Sequence, residues 1–118
     1  MSITQMNQIE NKPWGSYEVL LDEPNYKVKR IVVNPNQKFS LQYHEHRSEY
    51  WTIVSGYGTV IVDETATPAK PGTFWYIPRK AIHRAAAGED ALVFIETQIG
   101  DCREEDIVRL NDIYGRVK

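Results

Sequence analysis

His44 and His46 stand two residues apart, with Gln42 before them and Glu49 shortly after, inside the stretch NQKFSLQYHEHRSEYWTIVSG at residues 36–56. Imidazole nitrogens and a carboxylate oxygen are the donors that divalent transition ions take up, and no other stretch of the chain gathers them so densely. In an extended strand over residues 39–46, alternate side chains point to opposite faces. Ser40, Gln42, His44 and His46 would then share one face, with Leu41, Tyr43 and Glu45 on the other. A row of glutamine and two histidines makes a poor core and a good metal site; the plainer alternative is a solvated strand face. The third histidine, His83, lies 34 residues beyond Glu49 and is a further candidate ligand. Arg47 and Arg84 each follow a candidate ligand, and a guanidinium offers a fork of donors matched to phosphate oxygens. For both, the plainer alternative is an exposed ion pair.

The elements that must position these groups are short and β-rich. Residues 17–21 and 26–33 read as strands, separated by an Asp-Glu-Pro-Asn turn and closed by Asn34-Pro35-Asn36. Residues 49–55 form another strand, which ends at Gly56-Tyr57-Gly58, and residues 59–62 are expected to return as its hairpin partner. Residues 63–72 read as a loop or weak edge strand. Residues 73–77, 81–85 (carrying His83) and 91–98 complete the set. A turn every eight to twelve residues and no helical pattern long enough for crossovers predict an all-β sandwich or barrel and exclude a parallel α/β sheet. Residues 1–12 read as an irregular polar arm, and residues 104–118 as a tail holding a helical turn. Lys29 and Arg30 alternate, so at most one points inward. Trp14, Trp51, Trp75, Tyr57 and Tyr76 read as core or dimer-interface aromatics.

With 118 residues the chain is expected to form one domain. A net charge of −2, with basic and acidic residues interleaved, excludes a nucleic-acid surface. The single cysteine, Cys102, permits no internal disulfide. The N-terminus has neither the basic flank nor the apolar run of a signal peptide, and no apolar stretch is long enough to span a bilayer. A cytoplasmic, membrane-free protein is therefore expected.

Two motifs mark the cupin barrels, G-x5-H-x-H-x3,4-E-x6-G and G-x5-P-x-G-x2-H-x3-N, and the chain resembles both. Gly72, Pro78 and His83 fall on the second, with Lys80 where glycine is usual and Ala87 where asparagine is usual. Taking His44 and His46 as the paired histidines of the first leaves Glu49 one residue short. With Gln42 and His44 as the pair, Asn36 stands at the first glycine, Glu49 and Gly56 follow at the required intervals, and every spacing is met. A bend after His44 would instead turn His46 inward in place of Gln42.

The resemblance extends to one family. KPWGSYEVL (12–20), YKVKRIVVNP (26–35), LQYHEHRSEYW (41–51), IVSG (53–56), IHR (82–84) and DIVRLNDIYGR (106–116) are similar to the type II mannose-6-phosphate isomerase domain. That domain forms the C-terminal part of bifunctional mannose-1-phosphate guanylyltransferases and is read here as standing alone. Its usual histidine after Glu49 is Tyr50 in this chain.

The resemblance implies a cupin fold, that is, a double-stranded β-helix or jelly-roll barrel. It also implies interconversion of mannose-6-phosphate and fructose-6-phosphate with one divalent ion, zinc first and nickel, manganese or iron as alternatives. The implied ligands are Gln42, His44, Glu49 and His83, a set that would match the Gln-His-Glu-His zinc site of the type I isomerases. His46 is then an adjacent ligand or the proton-transfer group, an unassigned carboxylate being the alternative base, and Arg47 or Arg84 the phosphate holder. The partners implied are a small sugar phosphate and a second copy of the chain. A non-catalytic sugar-phosphate sensor and a metal-dependent oxygenase are the readings from other classes. Guanylyl transfer is not expected, because the chain has no glycine-rich phosphate loop leading into a helix.

Overall fold

Turn residues cut the chain into segments too short for helices, and the computed structural model, which describes residues 8–117, folds them into strands alone. In chain order these are β1 (Ile9–Lys12), β2 (Gly15–Glu23), β3 (Tyr26–Val33), β4 (Leu41–Tyr43), β5 (Arg47–Ser55), β6 (Gly58–Val62), β7 (Thr65–Ala69), β8 (Phe74–Ile77), β9 (His83–Ala87), β10 (Leu92–Gly100) and β11 (Val108–Asn111). They pair antiparallel in two sheets, ordered β1-β2-β3-β10-β5-β8 and β11-β4-β9-β6-β7. The all-β jelly-roll architecture matches the expected one. No helix among the described residues is long and apolar enough to cross a membrane.

The inner faces of the two sheets meet in a core that includes Trp14, Ile31, Val33, Phe39, Trp51, Ile53, Val60, Ala85, Leu92 and Phe94. Phe39 packs edge-on against both Trp14 and Trp51, with ring centroids 5.3 and 5.8 Å apart, geometries that favour the aromatic quadrupoles. Register then decides what happens further along the same strands. Phe94 pairs with Ile31 and Ile53, Glu96 with Lys29 and Trp51, and Gln98 with Lys27 and Glu49. Because each strand alternates faces, three adjacent strands change together from an apolar inner face at one end to a charged one at the other.

Five local expectations are corrected. Residues 9–12 are a strand rather than an irregular arm: β1 pairs with β2, and wholly exposed side chains gave no pattern to reveal it. The rest of that arm, residues 1–7, lies outside the described residues. Residues 58–62 do not fold back on β5 but join β7 and β9 in the other sheet. Gly56 makes that crossing, since its φ of 86° favours glycine and a Cβ there would stand 2.0 Å from the Ala91 oxygen. The strand expected over residues 39–46 stops at Tyr43. The strand expected from Ala81 starts at His83. Residues 108–111 form the edge strand β11 against β4 and not a helical turn.

Candidate metal centre and substrate cavity

The chain bends straight after β4 because the Asp106 carboxylate accepts the backbone N–H groups of Glu45 and His46, at 3.1 and 2.9 Å. This bend separates the two neighbouring histidines. His44 is 2% exposed and turned inward, while His46 is exposed at the surface. The expected shared face of Gln42, His44 and His46 therefore ends at His44, and His46 stands away from the cluster both as a ligand and as a proton-transfer group.

His44, Glu49 and His83, from the end of β4, from β5 and from the start of β9, converge with their metal-capable atoms all within 4.8 Å of one another. All three are almost fully buried. The His44 Nδ1 lies 2.6 Å from the Asp106 carbonyl oxygen and the His83 Nδ1 lies 2.9 Å from that of Ala81. A carbonyl only accepts, so each Nδ1 carries the proton and each Nε2 is left as a lone pair. Those lone pairs point at a carboxylate: His44 Nε2 is 3.3 Å from Glu49 Oε2, and His83 Nε2 is 3.6 Å from Glu49 Oε1. His83 Nε2 is buried with no hydrogen-bond partner. At His83 two acceptors face each other without a donor, an arrangement a cation relieves, whereas His44 Nε2 also has the Arg47 and Gln42 donors within 3.5 Å; the outward anchoring of both Nδ1 atoms is how metal-ligating histidines are held. The residues present fit a divalent ion.

The surrounding charges keep the donors in their metal-ready forms. Burial pushes the His44 imidazole down to about 4, and Glu49 nearby only partly opposes this. Burial likewise lowers His83. Burial alone would raise Glu49, but positive charge around it, on His83 and His44 when protonated and on Arg47 throughout, brings it below the usual carboxylate range. With both imidazoles neutral, Arg47 is the standing charge that keeps Glu49 ionised.

Arg47 spends its donors here, Nε on Glu49 Oε2 at 2.9 Å, Nη2 facing His44 Nε2 at 3.2 Å and Nη1 on the Arg103 carbonyl at 3.2 Å. It shares the inner face of β5 with Glu49, two residues on, so it belongs to the cluster rather than to a phosphate rim. Gln42 stands beside the cluster, with Nε2 3.5 Å from His44 Nε2 and Oε1 accepting from the Ser40 hydroxyl at 2.6 Å. Arg84 does not join it. Next to His83 it points to the opposite face of β9, where Nε donates to the Phe39 carbonyl and Nη2 to the Asn111 carbonyl and side chain, at 2.8 to 3.1 Å. Its role is to tie β9 to the C-terminal edge strand.

Glu49, Gln42 and Arg47 open onto a cavity of about 150 Å³ between the sheets, a size that admits one six-membered ring. Of its other walls, the sequence singles out Lys29 only as one of an alternating pair and Trp14 and Trp51 only as core or interface aromatics. Lys29 is the inward member of its alternating pair, lying 3.9 Å from the Tyr17 ring centroid and 2.7 Å from Glu104. Glu96 and Gln98 of β10 line the same side, and Lys12, Arg109 and Arg116 stand around it. The Nε of Arg109 is buried without a partner. Burial and the nearby Arg116 lower the Arg109 guanidinium below its usual value, which Asp112, itself paired with Arg116 at 2.7 Å, opposes only in part. The legible signal was period-2 alternation: once Phe94 faces inward, Glu96 and Gln98 must as well.

The model of the mannose-6-phosphate isomerase C-terminal family matches residues 2–112. The chain belongs to that family. It is 41% identical over 107 residues to the alginate biosynthesis protein AlgA of Pseudomonas aeruginosa, covering 89% of this chain and 22% of that protein. It is also 40% identical over 107 residues to the xanthan biosynthesis protein XanB of Xanthomonas campestris, covering 89% and 23%. To the Escherichia coli mannose-1-phosphate guanylyltransferase it is 39% identical over 108 residues, covering 90% and 23%. The chain thus spans about a fifth to a quarter of the length of these curated relatives.

Among solved structures, an RmlC-like cupin from Shewanella frigidimarina superposes with a TM-score of 0.77 at 21% identity, covering 88% of this chain and 92% of that one. The capsular polysaccharide assembling protein CapF of Staphylococcus aureus gives 0.78 at 16%, covering 92% and 33%. The fold is a cupin.

The departures from the cupin and family patterns leave the three converging side chains in place, although the Lys80 amide donates to the His44 carbonyl at 2.8 Å. Tyr50 faces outward from β5 and is 50% exposed. Asn36 and Lys80, which replace the motif glycines, have φ of 61° and 68°, the conformation for which glycine is ordinarily used. Ala87 packs against the core.

Proposed function

We propose that this domain is a metal-dependent aldose–ketose isomerase that interconverts mannose-6-phosphate and fructose-6-phosphate. The observation that carries the reading is the buried His83 Nε2 lone pair, unpartnered and facing the Glu49 carboxylate at the edge of a ring-sized cavity with cations around it. His44, Glu49 and His83 would hold one divalent ion, zinc before nickel, manganese or iron, with Gln42 the nearest further donor. When bound, that ion supplies Lewis acidity to the oxygens on C1 and C2.

The chain's own residues do the rest. Arg109 has the free donor for a phosphate oxygen, with Arg116 and Lys12 beside it, and this fixes the far end of the sugar. Arg47 keeps Glu49 ionised, and Trp51 donates its indole N–H to Glu49 Oε1 at 3.0 Å, so the carboxylate cannot swing out of the cluster. Trp14, Ile31 and Phe39 form the dry end of the cavity and exclude water from the reacting carbons.

A homodimer is part of the proposal. Tyr50, Val54, Phe74 and Tyr76 lie exposed together on the outer face of β5 and β8, as an apolar surface that a second copy would cover.

A coupled assay on metal-loaded protein, across mannose-, glucose- and fructose-6-phosphates, tests the reading. Turnover of mannose-6-phosphate is expected. Binding without turnover would make the domain a sensor, and oxygen consumption with an iron-loaded site would make it an oxygenase.

A further inference from the structure

The isomerisation proposed above needs a group that lifts hydrogen from one sugar carbon and returns it to the next, and the ion cannot do this. Three carboxylates line the cavity. Glu49 accepts from Arg47 and Trp51 within the cluster. Glu104 is bound to Lys29 and Lys27, at 2.7 and 3.2 Å. Glu96 alone is in no ion pair among the described residues. One of its oxygens, Oε1, accepts from the Gln98 amide at 2.5 Å, which fixes the carboxyl and leaves Oε2 for a substrate. The histidine that sequence pointed to, His46, is at the surface.

We propose that Glu96 is the catalytic residue that carries the proton between C1 and C2; the proposal rests on the isomerase reading. Register supports the placement. Glu49 pairs with Gln98, so Glu96 sits diagonally from Glu49 on the adjacent strand, roughly 7–8 Å away between backbones. That leaves room for a two-carbon unit between the cluster and the Glu96 carboxyl. Burial, with Glu49 nearby, pushes the Glu96 carboxyl up to about 8 against the opposing pull of Lys29 and Arg47, so it can hold a proton near neutral pH and also release it.

In the forward direction the Glu96 carboxylate takes hydrogen from C2 as a proton. The C2–H electron pair becomes the C1=C2 bond, the former carbonyl pair moves to O1, and O1 takes up a proton, giving an enediol. Glu96 then returns its proton to C1 as O2 gives up its own proton and becomes the carbonyl oxygen. Over the cycle one proton moves from C2 to C1 and one from O2 to O1. No electrons leave the sugar and no co-reactant is consumed.

The test compares wild type with Glu96→Gln and Glu96→Asp, each metal-loaded, in deuterated water. Three quantities are measured: deuterium entry at C2 of mannose-6-phosphate by NMR, metal content, and calorimetric binding of the corresponding hexitol phosphate, which cannot isomerise. Glu96→Gln is expected to keep one ion per chain and to bind the hexitol phosphate about as wild type does, while exchange and turnover fall on the order of 10²–10⁴-fold. Glu96→Asp, one methylene shorter, is expected to fold and retain a reduced exchange. If Glu96→Gln exchanges within about threefold of wild type, the assignment of Glu96 is wrong while the isomerase reading stands. Should Glu96→Gln fail to fold, undiminished exchange in Glu96→Asp overturns the assignment in the same way, and diminished exchange with full binding supports it. A wild type that neither exchanges nor turns over removes the isomerase reading and this assignment with it.

Discussion

The two ends of the β3–β10–β5 inner face are built on one continuous hydrogen-bonded register and do opposite work. At one end Ile31, Phe94 and Ile53 lie side by side, buried to 5% exposure or less. A few residues along, the same strands present Lys29, Glu96, Lys27, Gln98 and Glu49, also buried. Backbone pairing does not distinguish the two ends; side-chain chemistry does. The apolar end gains from every buried methylene, whereas the charged end must offset desolvation with bonds to ions and partners; it leaves Gln98 Oε1 unpartnered, as are His83 Nε2 and Arg109 Nε on β9 and β11 of the facing sheet. Unmet polar atoms concentrated at one end of a satisfied fold mark where a ligand completes the structure.

Substitutions at the two ends should therefore separate stability from function. Phe94→Ala removes a fully buried ring from the apolar end. It is expected to cost about 3–5 kcal/mol in denaturant unfolding while the folded fraction still binds its ion. Arg109→Ala, on the sheet facing the charged end, is expected to leave the melting temperature and kcat nearly unchanged. It should raise KM for the sugar phosphate roughly ten- to a hundredfold, the loss of about 1.5–3 kcal/mol from one hydrogen bond to a charged group. A fall in kcat without a change in KM would remove Arg109 from the phosphate site.

Lys80→Gly relieves a non-glycine residue at φ 68°, and equilibrium unfolding should show a gain of about 0.5–1 kcal/mol once glycine's own entropy is counted.

The smallest effect is on the acid limb. Burial raises the Glu104 carboxyl, but Lys29 and Lys27 more than offset it, so its folded value lies below the ordinary 4.5. The unfolded chain then binds the proton more readily, and this contribution, complete above that ordinary value, is lost as pH falls through the lowered one. Glu104→Gln should flatten that part of the stability profile; an unaltered slope would show that the pair contributes nothing.

Much of this was legible in the sequence. Turn residues cut β3, β5 and β10 close to their observed limits, and motif spacing singled out His44, Glu49 and His83, which the fold brings together. What stayed hidden depended on partners distant in sequence. His46 leaves the cluster because Asp106, 60 residues on, caps the bend at its amide. Arg84 is committed to Asn111, a residue of the tail that sequence read as a helical turn. Glu96 carried no motif and Arg109 stood in a family-like stretch with no role attached, and only the register of β10 and the pairing of β11 with β4 place them at the cavity.

The central claim is that His44, Glu49 and His83 hold a divalent ion, and elemental analysis of exhaustively dialysed protein tests it most directly. One ion per chain is predicted for wild type, with a melting temperature that rises when metal is restored, and neither in His83→Ala. Wild type that carries no metal and shows no binding or thermal shift when offered zinc, nickel, manganese or iron would contradict the account.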